Sequence, residues 1–165
     1  PDESNLGAMG AVIGHELGHG IDDKGARYDY EGKLKQWLSD DDISEFKKRG
    51  SRLKELFNKV GVNGELTQGE NIGDLVGVTF AYNAAFPKDE GSREAKKLFF
   101  IQYARLWCGV IRPKMREMRL KTDPHSPFEA RVNEQVKHQP GFANAFQCQD
   151  DAKMVLPADE LVRIW

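Results

Sequence analysis

This sequence is poor in cysteine, in charge of one sign and in long apolar runs, and each shortage excludes a class of protein. Its two cysteines, Cys108 and Cys148, are too few for a disulfide-rich scaffold or a cysteine-rich zinc module. Because 24 basic side chains face 26 acidic ones, the net charge is −2, and no overall positive field favours nucleic acid. Apolar runs such as 98–101 are far shorter than the roughly 18 residues of a membrane-spanning helix. We therefore predict no nucleic-acid partner and no membrane span in this segment.

The sequence also lacks an initiator methionine, a leader and an internal boundary. It begins at Pro1 without the charged and then apolar segment of a signal peptide, so targeting gives no compartment. No repeat, low-complexity tract or linker divides the 165 residues, which is the size of one domain with its own core. The two cysteines leave three states open: one internal bridge, two free thiols, or two bonds to partners outside this sequence.

Apolar periodicity predicts a succession of helices. They are expected over about 5–19, from a Ser39 cap through Val60, over about 69–86, over about 93–110, and from a Ser126 cap to Pro140, with a short helix through Phe146 after that. Residues 27–37 are expected to form a small hairpin or loop. The fold class is therefore mainly α with one small β-hairpin.

Other patterns are interpreted as structural. Glycine recurs every four residues on the first helix and would let another element approach its backbone closely, at Gly10, Gly14 and Gly18. The aromatic residues at helical spacing between 99 and 107 are expected in the core. The basic stretch 112–121 is expected to be a solvated helix face, because an acidic residue interrupts it and no aromatic residues interleave. His138 has no partner pattern and is expected at the surface.

The pentapeptide His-Glu-Leu-Gly-His at 15–19 carries the most chemical information. Two imidazoles four residues apart on a helix, His15 and His19, project from one face and can bind one zinc ion. Glu16 lies about 100° round the helix from His15, where its carboxylate can take a proton from a water at the metal. The alternative is a surface helix with two coincidental histidines.

A catalytic zinc of this kind takes three protein ligands, so a third ligand is expected downstream. Glu70 fits because it lies 51 residues after His19, near the start of a predicted helix. Asp74 is one turn further on the same face, where its carboxylate can accept the remaining N–H of a ligating histidine. Without the histidine motif, this acidic pair would be interpreted as a solvated helix face.

Four segments follow one another along the chain in a recognisable order. They are His-Glu-Leu-Gly-His-Gly-Ile-Asp-Asp at 15–23, Glu-Asn-Ile-Gly-Asp at 70–74, His-Ser-Pro at 125–127 with Arg-Val-Asn at 131–133, and Arg-Ile-Trp at 163–165. Together they resemble the neprilysin and endothelin-converting-enzyme family of zinc metallopeptidases, over essentially the whole chain. The resemblance implies a thermolysin-like helical catalytic subdomain of the gluzincin type, within a larger two-lobed enzyme.

The resemblance also implies a metal centre. His15, His19 and Glu70 would bind one Zn²⁺ per chain, and Glu16 would be the general base. Asp74 would lie behind the ligands and support them.

Further roles follow from the same resemblance. Asp22 would be oriented toward His125, His125 would stabilise the tetrahedral intermediate, and Arg131 would bind a substrate carbonyl. Cys108 and Cys148 look like family cysteines whose partners lie upstream, which favours an extracytoplasmic compartment over the cytoplasm.

We predict a zinc-dependent endopeptidase that hydrolyses peptide bonds of oligopeptides, with water as the nucleophile. Only 14 residues precede His15, too few for the substrate-binding strand that precedes this helix in such peptidases. We therefore expect residues 1–165 to be the C-terminal portion of a catalytic domain whose N-terminal part is missing. One alternative is a metal-binding fragment that is inactive until that part completes the active site. Another is a helical interaction domain with an accidental motif.

Overall fold

Eight α-helices make up most of the computed structural model, which describes residues 2–165. In chain order they are α1 (Asp2–Asn5), α2 (Ala11–Gly18), α3 (Asp40–Lys59), α4 (Gln68–Ala85), α5 (Arg93–Leu106), α6 (Pro113–Thr122), α7 (Phe128–Val136) and α8 (Pro140–Phe146). A π-helical turn, Leu6–Gly10, joins α1 to α2, and a 3-10 turn, His19–Ile21, follows α2. The predicted first helix is therefore one continuous helical segment with a π-helical turn inside it.

The closest helix pair is α2 against α4, and glycine makes it possible. A Cβ atom on Gly14 would lie 2.9 Å from Gly77 Cα, and a Cβ atom on Gly77 would lie 2.5 Å from the Ala11 carbonyl oxygen. No side chain larger than hydrogen fits between backbones at this separation. The prediction that the glycines of the first helix admit another element closely is thus confirmed, and α4 is that element.

Helix α4 is continuously buried from 71 to 78 because an apolar cluster packs on each flank of it, and its last turns are partly exposed. One cluster joins α4 to α3 and the C-terminal tail, with Leu53, Phe57, Ile72, Leu75, Val162 and Ile164. The other joins α4 to α5, with Val78, Tyr82, Phe86, Phe99, Phe100 and Tyr103. Of the four aromatic residues predicted in the core between 99 and 107, the two phenylalanines and Tyr103 are buried, and Trp107 is partly buried against the same cluster. This packing fixes α4 as the central element against which α2 is held.

The predicted hairpin at 27–37 is a tight turn closed by one antiparallel bridge pair, Tyr28 with Leu34. The Asp29 N–H donates to the Lys33 carbonyl at 2.9 Å, and the Lys35 N–H donates to the Arg27 carbonyl at 3.0 Å. No longer strand occurs between residues 2 and 165. No helix in that range has both the length and the apolar content needed to cross a bilayer.

Of the two serine caps predicted from the sequence, the structure has one and lacks the other. Ser39 caps α3 as predicted, because its hydroxyl accepts from the Asp42 N–H at 3.1 Å. The predicted Ser126 cap of α7 is wrong. Pro127 occupies the N-cap position, and the Ser126 hydroxyl donates to Asn71 Oδ1 at 2.6 Å instead.

Helix α6 buries none of its side chains, in agreement with the solvated face predicted for the basic stretch.

His138 is buried, so its predicted surface position is wrong. Only 3% of it is exposed, and its Nδ1 accepts from the Val162 N–H at 3.1 Å. Burial lowers the pKa of this imidazole to about 4, so the ring is neutral at physiological pH. The error arises because the C-terminal tail folds back over the ring, a long-range contact that sequence periodicity does not reveal.

Candidate metal centre

Two imidazoles, one on α2 and one on the 3-10 turn that follows it, converge with one carboxylate of α4. His15 Nε2 lies 3.3 Å from Glu70 Oε2, and His19 Nε2 lies 3.6 Å from Glu70 Oε1. One ligand atom from each of the three residues lies within 4.8 Å of the other two. Helical spacing aligns the two histidines, and the glycine contact between α2 and α4 brings Glu70 opposite them. Three residues predicted as metal ligands are therefore brought together in space.

A carboxylate faces the other ring nitrogen of each histidine. Asp74 Oδ1 lies 2.8 Å from His15 Nδ1, and Asp22 Oδ2 lies 2.8 Å from His19 Nδ1. Asp22 is itself fixed, because its Oδ1 accepts the backbone N–H groups of Lys24 at 2.8 Å and Gly25 at 2.7 Å. A carboxylate hydrogen-bonded to one ring nitrogen sets the tautomer and orientation of an imidazole and leaves Nε2 as the free ligand atom. Asp22 makes this hydrogen bond to His19, whereas Asp74 lies within ion-pair distance of His15 Nδ1 without hydrogen-bond geometry.

The implied pairing of Asp22 with His125 is not found. Asp22 pairs with His19, while His125 Nδ1 lies 2.8 Å from Asp123 Oδ1. The physical reason is local, since each aspartate is within three residues of its histidine and is held there by backbone N–H donors. His125 nonetheless faces the cluster, with its Nε2 at 3.2 Å from Glu70 Oε2 and half of its side chain exposed.

Arg131 is buried beside the same cluster. Its Nε donates to Asp74 Oδ2 at 2.8 Å and its Nη2 to Asp74 Oδ1 at 2.7 Å. The guanidinium also lies 3.6 Å from the centre of the Trp107 ring, a cation–π contact. Burial would lower the pKa of Arg131, but the hydrogen bonds to Asp74 outweigh it, and the pKa lies above its ordinary value. Two of the five N–H donors of Arg131 thus bind Asp74.

The site is built to hold positive charge. Burial alone would lower the pKa of His15, but the carboxylates of Asp74 and Glu70 outweigh burial and raise the pKa from 6.5 to about 9. Burial would likewise raise the pKa of Glu70, but the imidazoles of His15, His125 and His19 hold it below its ordinary value. Both pKa shifts arise because opposite charges attract within this cluster, and a bound cation would supply the positive charge that the carboxylates favour.

The donor set fits zinc. Two imidazole nitrogens and one carboxylate oxygen are the three-ligand set that zinc takes when it keeps one position open. Glu70 Oε2 is buried and has no hydrogen-bond partner among residues 2–165, which is the state expected of a ligand atom aimed at an ion. Glu16, the predicted base, is exposed on α2 immediately after His15.

Sequence interpretation missed the buried polar residues behind these groups. Asn71 and Gln135 are 0% exposed, and Ser126 is 4% exposed. Asn71 and Ser126 each directly follow a predicted site residue within the segments that carry the resemblance, and Ser126 was interpreted as a helix cap. The hydrogen bonds that join Asn71 to Ser126 and to Gln135 each span more than 50 positions. Sequence patterns do not reveal pairs this far apart.

A sequence model of peptidase family M13 matches residues 1–161. Neprilysin-1 of Caenorhabditis elegans is 39% identical over 173 residues, covering 93% of this chain and 23% of the relative. Endothelin-converting enzyme 1 of Cavia porcellus is 36% identical over 169 residues, covering 93% of this chain and 22% of the relative. The resemblance drawn from the four sequence segments is therefore confirmed.

Solved structures agree with the sequence comparison. PepO from Lactobacillus rhamnosis matches with a TM-score of 0.93 at 32% identity, over 100% of this chain and 27% of its own. The zinc metalloprotease Zmp1 of Mycobacterium tuberculosis, in complex with an inhibitor, matches with a TM-score of 0.91 at 36% identity, over 100% of this chain and 28% of its own. The chain spans about a quarter of the length of these relatives. Since the family model covers nearly all of it, the chain belongs to peptidase family M13.

Proposed function

We propose that this chain is the metal-bearing, C-terminal part of a zinc-dependent endopeptidase that hydrolyses oligopeptides. The observation that carries the proposal is the convergence of His15, His19 and Glu70, with a carboxylate behind each imidazole. Membership of a peptidase family supports it, as does the structural similarity to the zinc metalloprotease Zmp1. The rest of the polypeptide, about three quarters by comparison with the relatives, would supply the other substrate contacts.

His15, His19 and Glu70 would hold one zinc ion per chain. When bound, zinc would lower the pKa of a water molecule and polarise the scissile carbonyl. Asp74 and Asp22 fix the two imidazole rings with Nε2 toward the metal position.

Glu16 would act as the general base. Its carboxylate takes a proton from the attacking water and later gives that proton to the leaving amine. Its position supports this role, because it follows His15 on α2 and its side chain is exposed where a substrate can reach it. Water is the nucleophile, so no covalent acyl-enzyme forms.

His125 and Arg131 would act on the carbonyl oxygens of the substrate. The His125 ring is half exposed with Nε2 directed at the cluster, so it can donate to the charge that develops on the scissile carbonyl. Arg131 holds Asp74 with two of its N–H groups and keeps others for a neighbouring substrate carbonyl. Asp123 orients His125, the task that the resemblance assigned to Asp22.

A second candidate function is a metal-binding segment that cleaves peptides only together with the remaining polypeptide. The observation that favours it is the absence of a strand longer than one bridge pair between residues 2 and 165, since peptidases of this type bind substrate by strand addition. Hydrolysis of a set of oligopeptides by the 165-residue chain and by the longer polypeptide separates the two. A third possibility, an interaction domain without metal, predicts no zinc in either protein.

Cys108 and Cys148 bear on the compartment. Both are free thiols, Cys108 exposed and Cys148 partly buried, so the internal bridge is not formed. We propose that they pair with cysteines elsewhere in the polypeptide, which places the protein in an oxidising, extracytoplasmic compartment.

The experiment that tests the proposed function is Glu16→Gln in the longer polypeptide. We expect the zinc content to stay and kcat for an oligopeptide to fall by about 10²–10⁴-fold. The matched control is Glu55→Gln, an exposed glutamate on α3 away from the cluster, which should leave kcat unchanged. Hydrolysis by Glu16→Gln at the normal rate would show that another group is the base.

A further inference from the structure

Asn71 is the centre of a buried hydrogen-bond network directly behind the candidate metal centre. Its Oδ1 accepts from the Ser126 hydroxyl at 2.6 Å, and its Nδ2 donates to Thr67 Oγ1 at 2.9 Å. Its backbone carbonyl accepts from Gln135 Nε2 at 2.9 Å. All four residues are buried, so water does not compete for these bonds.

The network joins the immediate neighbours of two site residues. Asn71 follows Glu70, and Ser126 follows His125, so one hydrogen bond spans 55 positions of sequence between them. Across this link, His125 Nε2 lies 3.2 Å from Glu70 Oε2. The same asparagine holds α7 through Gln135, one turn after Arg131.

The Ser126 hydroxyl lies just before α7 but does not cap that helix. A serine just before a helix normally accepts a backbone N–H as the cap, which stabilises the helix locally. Here Pro127 is the N-cap residue and no side chain caps α7. The hydroxyl reaches across to α4 instead, so its contribution is to the relative position of two elements and not to the start of its own helix.

We propose that Asn71 and Ser126 are positioning residues that fix His125 relative to Glu70. The inference rests on the proposed peptidase function and deepens it, since a displacement of about 1 Å in a catalytic group lowers a rate by up to about 10²-fold. Neither side chain touches the space between the ligands, so both act through His125.

Ser126→Ala in the longer polypeptide removes the donor and little volume. We expect kcat for an oligopeptide to fall by about 10-fold while KM and zinc content stay constant, because the lost interaction concerns the transition state. Ser126→Thr keeps the hydroxyl and should keep most of the activity. In a His125→Ala background, Ser126→Ala should change kcat by less than about twofold, since residues that act as a unit are not additive.

The matched control is Thr79→Val, which breaks another long-range side-chain hydrogen bond of α4, to Gln139, outside the Asn71 network. It should lower the melting temperature without lowering kcat. If Thr79→Val and Ser126→Ala reduce kcat equally, or if Ser126→Ala still costs 10-fold without His125, the network is merely structural and the proposal is overturned.

A readout without catalysis uses amide hydrogen exchange of residues 123–128 in the metal-free polypeptide. Ser126→Ala should speed exchange there by about 10-fold and Thr79→Val should not, because only the former releases the loop. Unchanged exchange in Ser126→Ala overturns the positioning claim. If the wild type shows no zinc-dependent hydrolysis, the proposed function fails, and hydrogen exchange still decides whether Ser126 holds the loop.

Discussion

Asp74 and Arg131 form a two-point ion pair in the interior, with both N···O distances below 2.9 Å, at 2.8 and 2.7 Å. The same Asp74 carboxylate lies 2.8 Å from His15 Nδ1. One continuous chain of contacts therefore runs from α7, through α4, to a candidate zinc ligand on α2. The geometry of the ligand is set by the protein core and not by the surface of its own helix.

Replacing Asp74 by asparagine should damage both stability and zinc binding. Asp74→Asn removes the two-point partner of the buried Arg131 and leaves only Glu70, at 3.9 Å, as a counterion. Loss of one partner of a buried pair costs about 3–5 kcal/mol. His15 also loses the carboxylate that orients it, which should weaken zinc affinity by about 10–100-fold. Urea unfolding of the metal-free protein and zinc competition with a chelator measure the two effects.

Glu129→Gln is the control for this prediction, because it breaks an ion pair of similar composition at the surface, with Arg116. Exposed pairs contribute only about 0–1 kcal/mol. Equal losses of stability in Asp74→Asn and Glu129→Gln would contradict the structural role assigned to the buried pair.

Gly77→Ala should separate α2 from α4. The added Cβ atom would lie 2.5 Å from the Ala11 carbonyl oxygen and 2.7 Å from the His15 nitrogen, both of them backbone atoms that cannot turn aside. We expect a loss of about 1–3 kcal/mol in the free energy of unfolding, as for other overpacked sites. Zinc affinity should fall as well, since His15 and Glu70 move apart.

Gly20→Ala provides the comparison, because nothing lies within 4 Å of a Cβ atom at that position. It is as close to the histidine motif as Gly77 but faces open space. If both substitutions leave chelator competition unchanged, close helix contact is not what assembles the ligands.

His138 should make stability depend on pH. Its folded pKa of about 4 lies below the ordinary 6.5, so the unfolded chain binds the proton first. This contribution is fully present above pH 6.5 and is lost as the pH falls toward 4, by up to about 3 kcal/mol. The free energy of unfolding, measured by urea titration between these limits, should therefore rise with pH.

His138→Asn isolates this contribution, because an amide oxygen can still accept the Val162 N–H but does not titrate. The wild-type curve should be steeper than the variant curve between pH 4 and 6.5 and parallel to it above. Parallel curves throughout would mean that the imidazole protonates equally in the folded and unfolded states.

Residues that act through local spacing were predictable from the sequence. His15 and His19 are four apart on a helix, and their common face follows from helical geometry alone. Ser39 caps α3 for an equally local reason. The glycine repeat predicted a close helix contact, but only the structure identified α4 as the partner.

Several residues that act across the fold were not predicted, although Glu70 was. The Ser126 hydroxyl had a local partner available and binds a distant one, and His138 is covered by a tail more than 20 residues away. Asp22 is the opposite case. The resemblance implied a long-range contact with His125, and the structure has a local contact with His19 instead. Competition between local and long-range partners is settled by packing, which sequence patterns do not encode.

Binding of one zinc ion by His15, His19 and Glu70 can be measured with an anomalous difference map at the zinc absorption edge. We predict a single strong peak per chain, about 2.0–2.2 Å from both Nε2 atoms and from a Glu70 carboxylate oxygen. The peak should disappear in His19→Asn. A crystal grown with zinc that shows no peak at these three side chains, or a peak unaffected by His19→Asn, would mean that they do not form the zinc site.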